Sequence, residues 1–261
     1  METTQVKPTM RLGADPEIFL QDNAGNPISA IGYINADKWN PMQIPDMPVG
    51  YTLQEDNVSL EYGVPPSASA DEFVQHINAV MEKSKEYLPN LSFSKLSCIV
   101  FPEDQMQHPL AHIFGCEPDF DAWTKTTNKK PQPPHPLMRS AGGHVHVETT
   151  KDQLAVIRAM DLFLGVPSVL MDNGEMRKKL YGKAGAFRGK SYGVEYRTLS
   201  NFWIFKNELI RWVWNNTERA LDSVDTLDVM AEKDNILRAI NDNDKEVAQM
   251  LVNKYNLEVL A

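Results

Sequence analysis

The sequence predicts an α+β fold, and three observations lead to that prediction. Segments rich in alternating or β-branched residues predict strands, at residues 10–20, 57–62, 93–102, 141–148 and 193–199. Apolar residues at helical spacing predict helices, at residues 71–87, at 152–171 and from 207 to the end. The two kinds of element alternate irregularly, which is typical of an α+β arrangement rather than a doubly wound parallel sheet.

The boundaries of the first elements have identifiable causes. The turn-rich residues 21–27 end the first strand, and Pro65 and Pro66 end the second one. Phe73 and Ile77 begin an apolar stripe at i, i+4 spacing along the helix that follows. Proline-rich residues 103–138 lack a clear period, so we expect irregular structure there. The basic, glycine-containing residues 177–190 predict a flexible loop.

Composition excludes several classes of protein. The net charge is −9, from 26 basic and 35 acidic residues, and no basic stripe stands out, so nonspecific nucleic-acid binding is not expected. No apolar run approaches the roughly 20 residues that a membrane-spanning helix requires, and residues 1–10 lack the apolar core of a signal peptide. We therefore expect a cytoplasmic protein. Cys98 and Cys116 do not form a Cys-x-x-Cys motif, which excludes a zinc ribbon.

Three predicted strands each place two polar side chains at i, i+2 spacing, and therefore on one face. The pairs are Asp15 with Glu17, His144 with His146, and Glu195 with Arg197, while a further strand offers Glu61. One such pair is weak evidence, since half-exposed strands alternate polar and apolar residues anyway. Together, however, carboxylates, imidazoles and an arginine are the groups that hold divalent metals and a polyphosphate.

At these motifs the sequence resembles a known superfamily. The segment Gly-Ala-Asp-Pro-Glu-Ile-Phe, at residues 13–19, resembles the Gly-Pro-Glu-Pro-Glu-Phe-Phe strand of glutamine synthetases. Gly-Gly-His-Val-His-Val and Val-Glu-Tyr-Arg resemble their Gly-x-His-x-His and Glu-x-Arg strands, in the same chain order. The longer forms Glu-Tyr-Arg-Thr-Leu-Ser-Asn-Phe-Trp and Gly-Cys-Glu-Pro-Asp-Phe are similar to the compact carboxylate–amine ligases of tailed bacteriophages. The resemblance to the glutamine synthetase and glutamate–cysteine ligase superfamily covers residues 11–203.

This resemblance implies a curved, mainly antiparallel sheet whose concave face holds ATP with Mg²⁺ or Mn²⁺. We accordingly expect a glutamine synthetase-like catalytic domain at residues 1–205 and a helical C-terminal segment, residues 206–261, packed on it. For a phage-encoded member, the cytoplasm would be that of the host.

The same resemblance implies roles for the metal ligands. Glu17 and Glu61 would bind the ion nearer the carboxylate substrate. Asp15, His144 and Glu195 would bind the ion that bridges the ATP phosphates.

The remaining implied roles concern phosphate and substrate. Arg197 would hold the γ-phosphate and the developing charge, and His146 would lie near the phosphates or the acyl substrate. Lys183 and Arg188 are the candidates for further phosphate contacts, although solvated basic loops are common. Asp119 is a candidate for substrate binding, with a purely structural turn as an equal alternative.

The sequence also departs from the glutamine synthetase pattern. Asp15 stands where those enzymes carry Glu, and their N-terminal domain and their glutamate and ammonia sites have no counterpart in this sequence. We therefore expect an amide-bond-forming ligase acting through an acyl phosphate, on a small-molecule or peptide carboxylate and an amine, rather than glutamine synthesis. The substrates and the oligomeric state, including a homo-oligomer, stay open.

Three alternatives remain from the residues themselves. A phosphotransferase acting on a guanidino or carboxylate group would use the same fold without ligation. A cupin-like metal enzyme could use His144 and His146 as iron ligands, but it leaves Asp15, Glu17 and Arg197 without a role. A non-catalytic binding protein has no physical reason to keep mutually repelling carboxylates together.

Overall fold

The computed structural model describes residues 10–113 and 119–260. The strands before the first long helix and shortly after it are β1 (Arg11–Ile18), β2 (Leu20–Gln21), β3 (Pro27–Ile28), β4 (Met42–Gln43), β5 (Thr52–Asp56), β6 (Ser59–Gly63), β7 (Ser92–Phe93) and β8 (Cys98–Val100). The later strands are β9 (Phe120–Asp121), β10 (Thr126–Thr127), β11 (Met138–Ser140), β12 (Gly143–Glu148), β13 (Ala186–Lys190) and β14 (Gly193–Tyr196).

The principal sheet is antiparallel. Within the described residues, nine strands form it in the order β10-β9-β13-β14-β12-β1-β6-β5-β4, and each of its neighbouring pairs runs antiparallel. The strands β1, β12 and β14 lie near its centre and carry the paired polar motifs, except that Arg197 lies one residue beyond the end of β14. The predicted α+β class with a mainly antiparallel sheet is confirmed.

The helices cover the sheet and extend to the C-terminus. They are α1 (Ala70–Ser84), α2 (Gln153–Met160), α3 (Val166–Met171), α4 (Glu175–Leu180), α5 (Asn207–Ser223), α6 (Lys233–Asn241) and α7 (Lys245–Tyr255). Helix α1 begins where Ser69 accepts a hydrogen bond from the Glu72 backbone N–H, and the Glu72 carboxylate accepts one in return from the Ala68 N–H. This reciprocal pair satisfies backbone donors that a helix start leaves open.

Aromatic packing joins the C-terminal helices to the rest of the core. Phe73 of α1 stacks on Trp203 at 5.8 Å between ring centroids and contacts Trp214 of α5 at 6.0 Å. Trp212 is buried as well, and its indole N–H donates to the Glu258 carbonyl oxygen at 2.9 Å. The division at residues 205 and 206 stays a prediction.

One helical stretch corrects the expectation about apolar runs. Gln153–Met171 comprises α2, a π-helical turn (Asp161–Gly165) and α3, and it is long and apolar enough to cross a membrane, with a mean hydropathy of 1.8. However, 72% of the stretch is buried inside the protein. Such burial is typical of a core helix, and a single stretch of this kind is weak evidence for a membrane span.

Two other sequence predictions were wrong in part. Residues 93–102 form the end of β7 and the short β8 rather than one strand, because β7 pairs with β2 whereas β8 pairs with β11 in a separate sheet. Residues 177–190 are not a flexible loop: they contain most of α4 and all of β13. The physical reason is that Arg177 is buried and hydrogen-bonded, so a basic segment became part of the core.

Candidate active site

Strand register brings the predicted polar residues onto one face of the sheet. Asp15 of β1 lies directly opposite His144 of β12. His146 lies opposite Glu195 of β14, and Glu195 lies opposite Arg188 of β13. Since side chains of directly opposed residues share a face, this register forms a continuous polar surface across four strands.

The first group of ligand atoms consists of Asp15, His144 and Glu195, called here the Asp15 cluster. Its ligand atoms all lie within 4.8 Å of one another. His144 Nδ1 is 3.4 Å from Asp15 Oδ1 and 3.9 Å from Glu195 Oε1. The structure thus brings together the three residues that the family resemblance assigns to one ion.

The charge states within the Asp15 cluster follow from its surroundings. Burial would raise the pKa of the Asp15 carboxyl, but the imidazoles of His146 and His144 outweigh it and hold this pKa well below its usual 3.8. Burial, assisted by the Arg197 guanidinium, lowers the pKa of His144 from its usual 6.5. A carboxylate and a neutral imidazole are the forms in which these groups bind metals.

His146 completes the edge of the Asp15 cluster. Its Nε2 lies 3.0 Å from Asp15 Oδ1, and its Nδ1 shares a hydrogen with the Tyr192 hydroxyl at 2.5 Å. Burial lowers the pKa of His146, but the Asp15 carboxylate outweighs burial and leaves that pKa raised. His146 is therefore more readily protonated than a free imidazole, which suits a position facing an anion.

Three basic side chains surround Glu195, which is fully buried. Lys190 Nζ lies 2.7 Å from Glu195 Oε2, Arg188 Nη1 lies 3.5 Å from Oε1, and Arg197 Nη1 donates a hydrogen bond to Oε1. Burial and Asp15 raise the pKa of Glu195, but the nearby cations, Arg197 first, outweigh them and leave it lowered. Lys190 was not among the predicted site residues, because residues 177–190 were expected to form a loop. Its i, i+2 spacing from Arg188 was the available signal.

The second group consists of Glu17, Asp56 and Glu61, called here the Glu17 cluster. Its carboxylate oxygens also lie within 4.8 Å of one another. Glu17 lies opposite Glu61 in the register of β1 and β6, and its Oε2 accepts a hydrogen bond from the Gly142 N–H at 2.6 Å. The structure therefore brings Glu17 and Glu61 together as the resemblance implies, and adds Asp56.

The carboxylates of the Glu17 cluster repel one another, and this repulsion raises their pKa values. Burial, followed by the neighbouring carboxylates, raises the pKa of Glu61 well above its usual 4.5. Burial and the Glu17 charge raise the pKa of Asp56 to about 7. Three carboxylates held this close are stable as anions only beside a cation.

Asp56 was missed in the sequence because its position depends on a hairpin turn. Asn57, at φ +59°, turns the chain between β5 and β6, and Asp56 then lies opposite Ser59, which is two residues from Glu61. The Asp-Asn dipeptide between two strands was the available signal, since Asn tolerates this left-handed conformation.

The donor sets of both clusters fit divalent metal ions. Asp15 Oδ1 and Glu195 Oε2 are buried and paired with cationic side chains, His146 Nε2 at 3.0 Å and Lys190 Nζ at 2.7 Å, so both oxygens already lie where a positive charge is close. The Glu17 cluster offers only oxygen ligands, the preference of Mg²⁺ and Mn²⁺, and the Asp15 cluster adds one imidazole.

The other predicted site residues in the described part of the chain include Arg197 and Asp119, which lie beside the Asp15 cluster, and Lys183, which does not. Arg197 contacts both Glu195 and His144, with Nδ1 of His144 3.4 Å from its Nη1, and its Nε is 3.7 Å from Asp119 Oδ2. Residues 115–118 of the predicted turn lie outside the described residues. Lys183 lies between α4 and β13, where its backbone carbonyl accepts a hydrogen bond from Thr198, and the structure brings its ammonium into neither cluster.

Arg177 is a buried residue that supports the site and was not among the predicted site residues. Its guanidinium donates to the Leu199 carbonyl at 3.3 Å, the Ser140 hydroxyl at 3.1 Å and the Arg197 carbonyl at 3.1 Å. Its Nη2 also lies 3.4 Å from His144 Nε2. Arg177 therefore holds the backbone and the imidazole beneath the site in place.

Asp161 supports the opposite side of the sheet. Its carboxylate accepts hydrogen bonds from the Trp123 indole at 2.6 Å, the Gly185 N–H at 2.6 Å and the Tyr196 hydroxyl at 2.8 Å, and from the Thr198 hydroxyl at 3.2 Å. Tyr196 and Thr198 flank Arg197 in the chain. Asp161 thus fixes the segment that carries the arginine.

Two cavities open on the face of the sheet, one beside each cluster. The first, of about 50 Å³, is lined by Glu17, Asp56, His144 and Arg197, together with apolar side chains such as Ile113 and Met138. The second, of about 440 Å³, is lined by Asp15, His146 and Tyr192, with Gly13 and Gly63. A ligand therefore has more space beside the Asp15 cluster than beside the Glu17 cluster.

The fold and the two clusters together define a candidate metal- and phosphate-binding centre on an antiparallel sheet. Residues 135–258 match the family model described as phage phiEco32-like COOH.NH2 ligase, type 2. This match, to a family of carboxylate–amine ligases, confirms the resemblance predicted from the motifs. No protein with a curated description matches the chain.

Solved structures with some similarity include three ligase-type proteins. The chain is 11% identical to a bifunctional glutathione synthetase from Pasteurella multocida, covering 95% of this chain and 49% of that one, with a TM-score of 0.43. It therefore spans about half the length of that structure. A GmaS/ADP complex is also 11% identical, with 97% and 71% covered and a TM-score of 0.37. A novel glutamine synthase homolog is 11% identical, with 94% and 66% covered and a TM-score of 0.34.

Proposed function

We propose that this protein is an ATP-dependent carboxylate–amine ligase that forms an amide through an acyl phosphate. One observation carries the proposal: the Asp15 cluster and the Glu17 cluster lie on one face of β1, with Arg197 beside both. Asp15 and Glu17 are two residues apart, so their side chains start about 7 Å apart along the strand. That separation suits a centre at which a phosphoryl group passes from one ligand to another.

The residues of the Asp15 cluster face the polyphosphate in this proposal. Asp15, His144 and Glu195 would hold one Mg²⁺ or Mn²⁺, and Glu17, Asp56 and Glu61 a second. When bound, such ions neutralise phosphate and carboxylate oxygens and polarise the γ-phosphoryl group.

Basic side chains supply the remaining charge. Arg188, Lys190 and Arg197 converge on the buried Glu195, and they would exchange part of that contact for phosphate oxygens. Arg197 is the best placed, because it also lines the cavity beside Glu17 and Asp56. Guanidinium groups fork onto phosphate oxygens and stabilise charge that develops during transfer.

The cavity beside the Glu17 cluster would hold the carboxylate substrate. An oxygen of that carboxylate attacks the γ-phosphorus, and ADP leaves with the electron pair of the broken P–O bond. The amine then attacks the acyl carbon and forms the C–N bond. The bond between the acyl carbon and the bridging oxygen breaks, inorganic phosphate leaves with that oxygen, and the nitrogen loses a proton to solvent. Alignment and charge neutralisation are what the protein contributes to both steps.

The test is release of ADP and phosphate from ATP and Mg²⁺, with pooled carboxylates and pooled amines supplied together or separately. We expect release only with both pools, and loss of release in Glu17→Gln. Asp71→Asn, an exposed acid on α1, is the matched control and should behave as wild type. With an ¹⁸O-labelled carboxylate pool, one labelled oxygen should appear in the phosphate.

The alternatives give different results in the same assay. Release that needs one pool and leaves a stable phosphorylated product would contradict ligation and indicate a phosphotransferase. Amide formation with no label in the phosphate would contradict the acyl phosphate.

A further inference from the structure

The cavity beside the Glu17 cluster is lined by two kinds of side chain. Glu17, Asp56 and Arg197 line it where the proposed phosphoryl transfer takes place. A second set of lining residues is apolar and is called here the apolar wall: Phe19, Val58, Ile113, Pro133, Met138 and Leu180. The part of the carboxylate substrate that does not react would lie against this wall.

The apolar wall adjoins the metal-ligand residues directly. Phe19 follows Glu17 by two residues along the chain, and Val58 follows Asp56 by two. Both apolar side chains are 1% exposed and belong to a hydrophobic core separate from the main one, in which the Phe19 ring packs edge-on against Phe101 at 5.4 Å between centroids. A group that extends from the reacting carboxylate into this part of the cavity therefore meets hydrocarbon.

Ile113 continues the apolar wall toward solvent. The side-chain amide of Asn57 donates a hydrogen bond to the Ile113 carbonyl oxygen at 2.7 Å, which holds Ile113 beside the turn that follows Asp56. The Ile113 side chain is nevertheless 54% exposed. Covering an exposed apolar side chain favours the binding of an apolar group and contributes nothing to the binding of a charged one.

Two further arginines line the cavity, but the protein already uses them. Arg139 donates hydrogen bonds to three backbone carbonyl oxygens at 2.6, 2.7 and 2.9 Å. Arg177 donates to two backbone carbonyl oxygens and one serine hydroxyl, and both arginines are buried. A second carboxylate on the substrate would have to displace bonds that hold the backbone, or be buried without a partner, which is unfavourable.

The size of the cavity limits the length of the substrate. A volume of about 50 Å³ has space for roughly three to five water-sized groups. A carboxylate with a short hydrocarbon chain fills such a space, and its end would reach the exposed side chain of Ile113. We infer that the carboxylate substrate is a short monocarboxylate whose remaining group is apolar, rather than a dicarboxylate or an acidic amino acid.

This inference rests on the proposed ligase function, and the experiment separates the two. Hydroxylamine takes the place of the unidentified amine, with ATP and Mg²⁺ supplied. Its nitrogen attacks the acyl carbon of the acyl phosphate, phosphate leaves with the bridging oxygen, and the hydroxamate is measured as its coloured Fe³⁺ complex. Values of kcat/KM are compared for butyrate, succinate and glutamate. Butyrate and succinate have the same carbon chain and differ only at one end, methyl against carboxylate.

Butyrate should exceed succinate and glutamate in kcat/KM by at least about tenfold, because the additional charges of the other two acids find no free partner in the cavity. Comparable or higher values for succinate or glutamate would overturn the assignment of an apolar substrate and leave the proposed function standing. Hydroxamate from none of the three acids, in a protein that still releases phosphate with the two pools, would have the same consequence. Release in neither assay would overturn the proposed function itself, and the assignment with it.

A charge placed on the apolar wall should shift the preference. Met138→Lys adds an ammonium group and should raise the ratio of kcat/KM for succinate to that for butyrate by at least about tenfold. Met250→Lys makes the same substitution at an exposed position of α7, outside the cavity, and should leave the ratio unchanged. An unchanged ratio in a folded Met138→Lys protein would overturn the assignment.

A second variant guards against misfolding of Met138→Lys. Ile113→Lys alters an exposed side chain and should shift the ratio in the same direction. An unchanged ratio in Ile113→Lys, beside a Met138→Lys protein that does not fold, would also overturn the assignment.

Discussion

Asp15 and His144 face each other across the antiparallel pair β1 and β12, with Asp15 Oδ1 3.4 Å from His144 Nδ1. The same carboxylate oxygen lies 3.0 Å from His146 Nε2. Asp15 therefore connects two imidazoles on one strand with the metal-ligand group that includes Glu195. This contact is the centre of the candidate site.

Asp15→Asn should weaken Mn²⁺ binding by at least about tenfold, because an amide is a poorer ligand and carries no charge. A titration followed by Mn²⁺ electron paramagnetic resonance measures this directly. Asp15→Glu should retain binding, since it keeps the carboxylate. Equal Mn²⁺ affinity in Asp15→Asn and wild type would remove Asp15 from the ligands.

Asp56→Asn should reduce turnover as strongly as Glu17→Gln does, because both remove a charge from one group of three oxygen ligands. The variant should fold at least as well as wild type, since it relieves repulsion among buried carboxylates. The ligation assay and a urea unfolding curve provide the two readouts. Normal turnover in Asp56→Asn would restrict the second ion to Glu17 and Glu61.

Arg197→Ala should lower the rate by about 10³-fold or more, by analogy with other arginine clamps on transferring phosphoryl groups. Arg197→Lys keeps the positive charge but cannot donate two parallel hydrogen bonds to a phosphate, so we expect it to recover part of the lost rate. Single-turnover kinetics at saturating ATP distinguish lost chemistry from lost binding. Near-normal turnover in Arg197→Ala would contradict the assigned role.

Arg177→Met should lower the free energy of unfolding by about 2–4 kcal/mol, since it leaves buried carbonyl and imidazole groups without their donor. Urea unfolding measures the loss. Lys179→Met removes an exposed cation from the same helix and should change stability little. If Arg177 belonged to a solvated phosphate loop, the two variants would unfold alike.

Asp161 should make stability depend on pH. Burial outweighs four hydrogen-bond donors and raises its pKa from 3.8 to about 7. Between these values the folded state binds a proton that the unfolded state has lost, so this contribution to stability is complete below pH 4. It declines by on the order of 3–4 kcal/mol as the pH rises to 7, and is level above.

Asp161→Asn should abolish that slope, as measured by urea unfolding at several pH values. Its amide oxygen can accept from Trp123 and Gly185 while its NH2 donates to the hydroxyls of Tyr196 and Thr198. Asp161→Ala leaves the indole and the Gly185 N–H unpaired, so we expect it to be the less stable variant. An unchanged slope in Asp161→Asn would assign the pH dependence to other groups.

The sequence predicted the central strands well because their polar residues repeat at i, i+2. That spacing alone puts Asp15 and Glu17 on one face, whatever the tertiary structure does. It did not reveal Asp56, because a hairpin turn brings that residue to the cluster. The spacing of Lys190 from Arg188 is informative only once residues 186–190 are assigned to a strand. These contacts depend on register between strands, which a single sequence does not encode locally.

Buried charge explains the larger errors. Arg and Asp side chains usually lie at the protein surface, yet Arg177 and Asp161 are buried and hydrogen-bonded. The local sequence pattern predicts that such side chains are exposed to solvent. A charged side chain is buried favourably only when groups distant in the sequence form hydrogen bonds with it. In the apolar stretch Gln153–Met171 the local pattern is compatible with a membrane span, but burial in the protein core accounts for its high hydropathy.

The most direct test of the central claim is calorimetric titration of ATP into the protein, with Mg²⁺ and again with a chelator. We predict binding that requires Mg²⁺ in wild type and that Glu195→Gln and Asp15→Asn both weaken. Binding that persists unchanged with the chelator and in both variants would contradict the metal–phosphate centre. Absence of binding in wild type with Mg²⁺ would contradict the whole functional account.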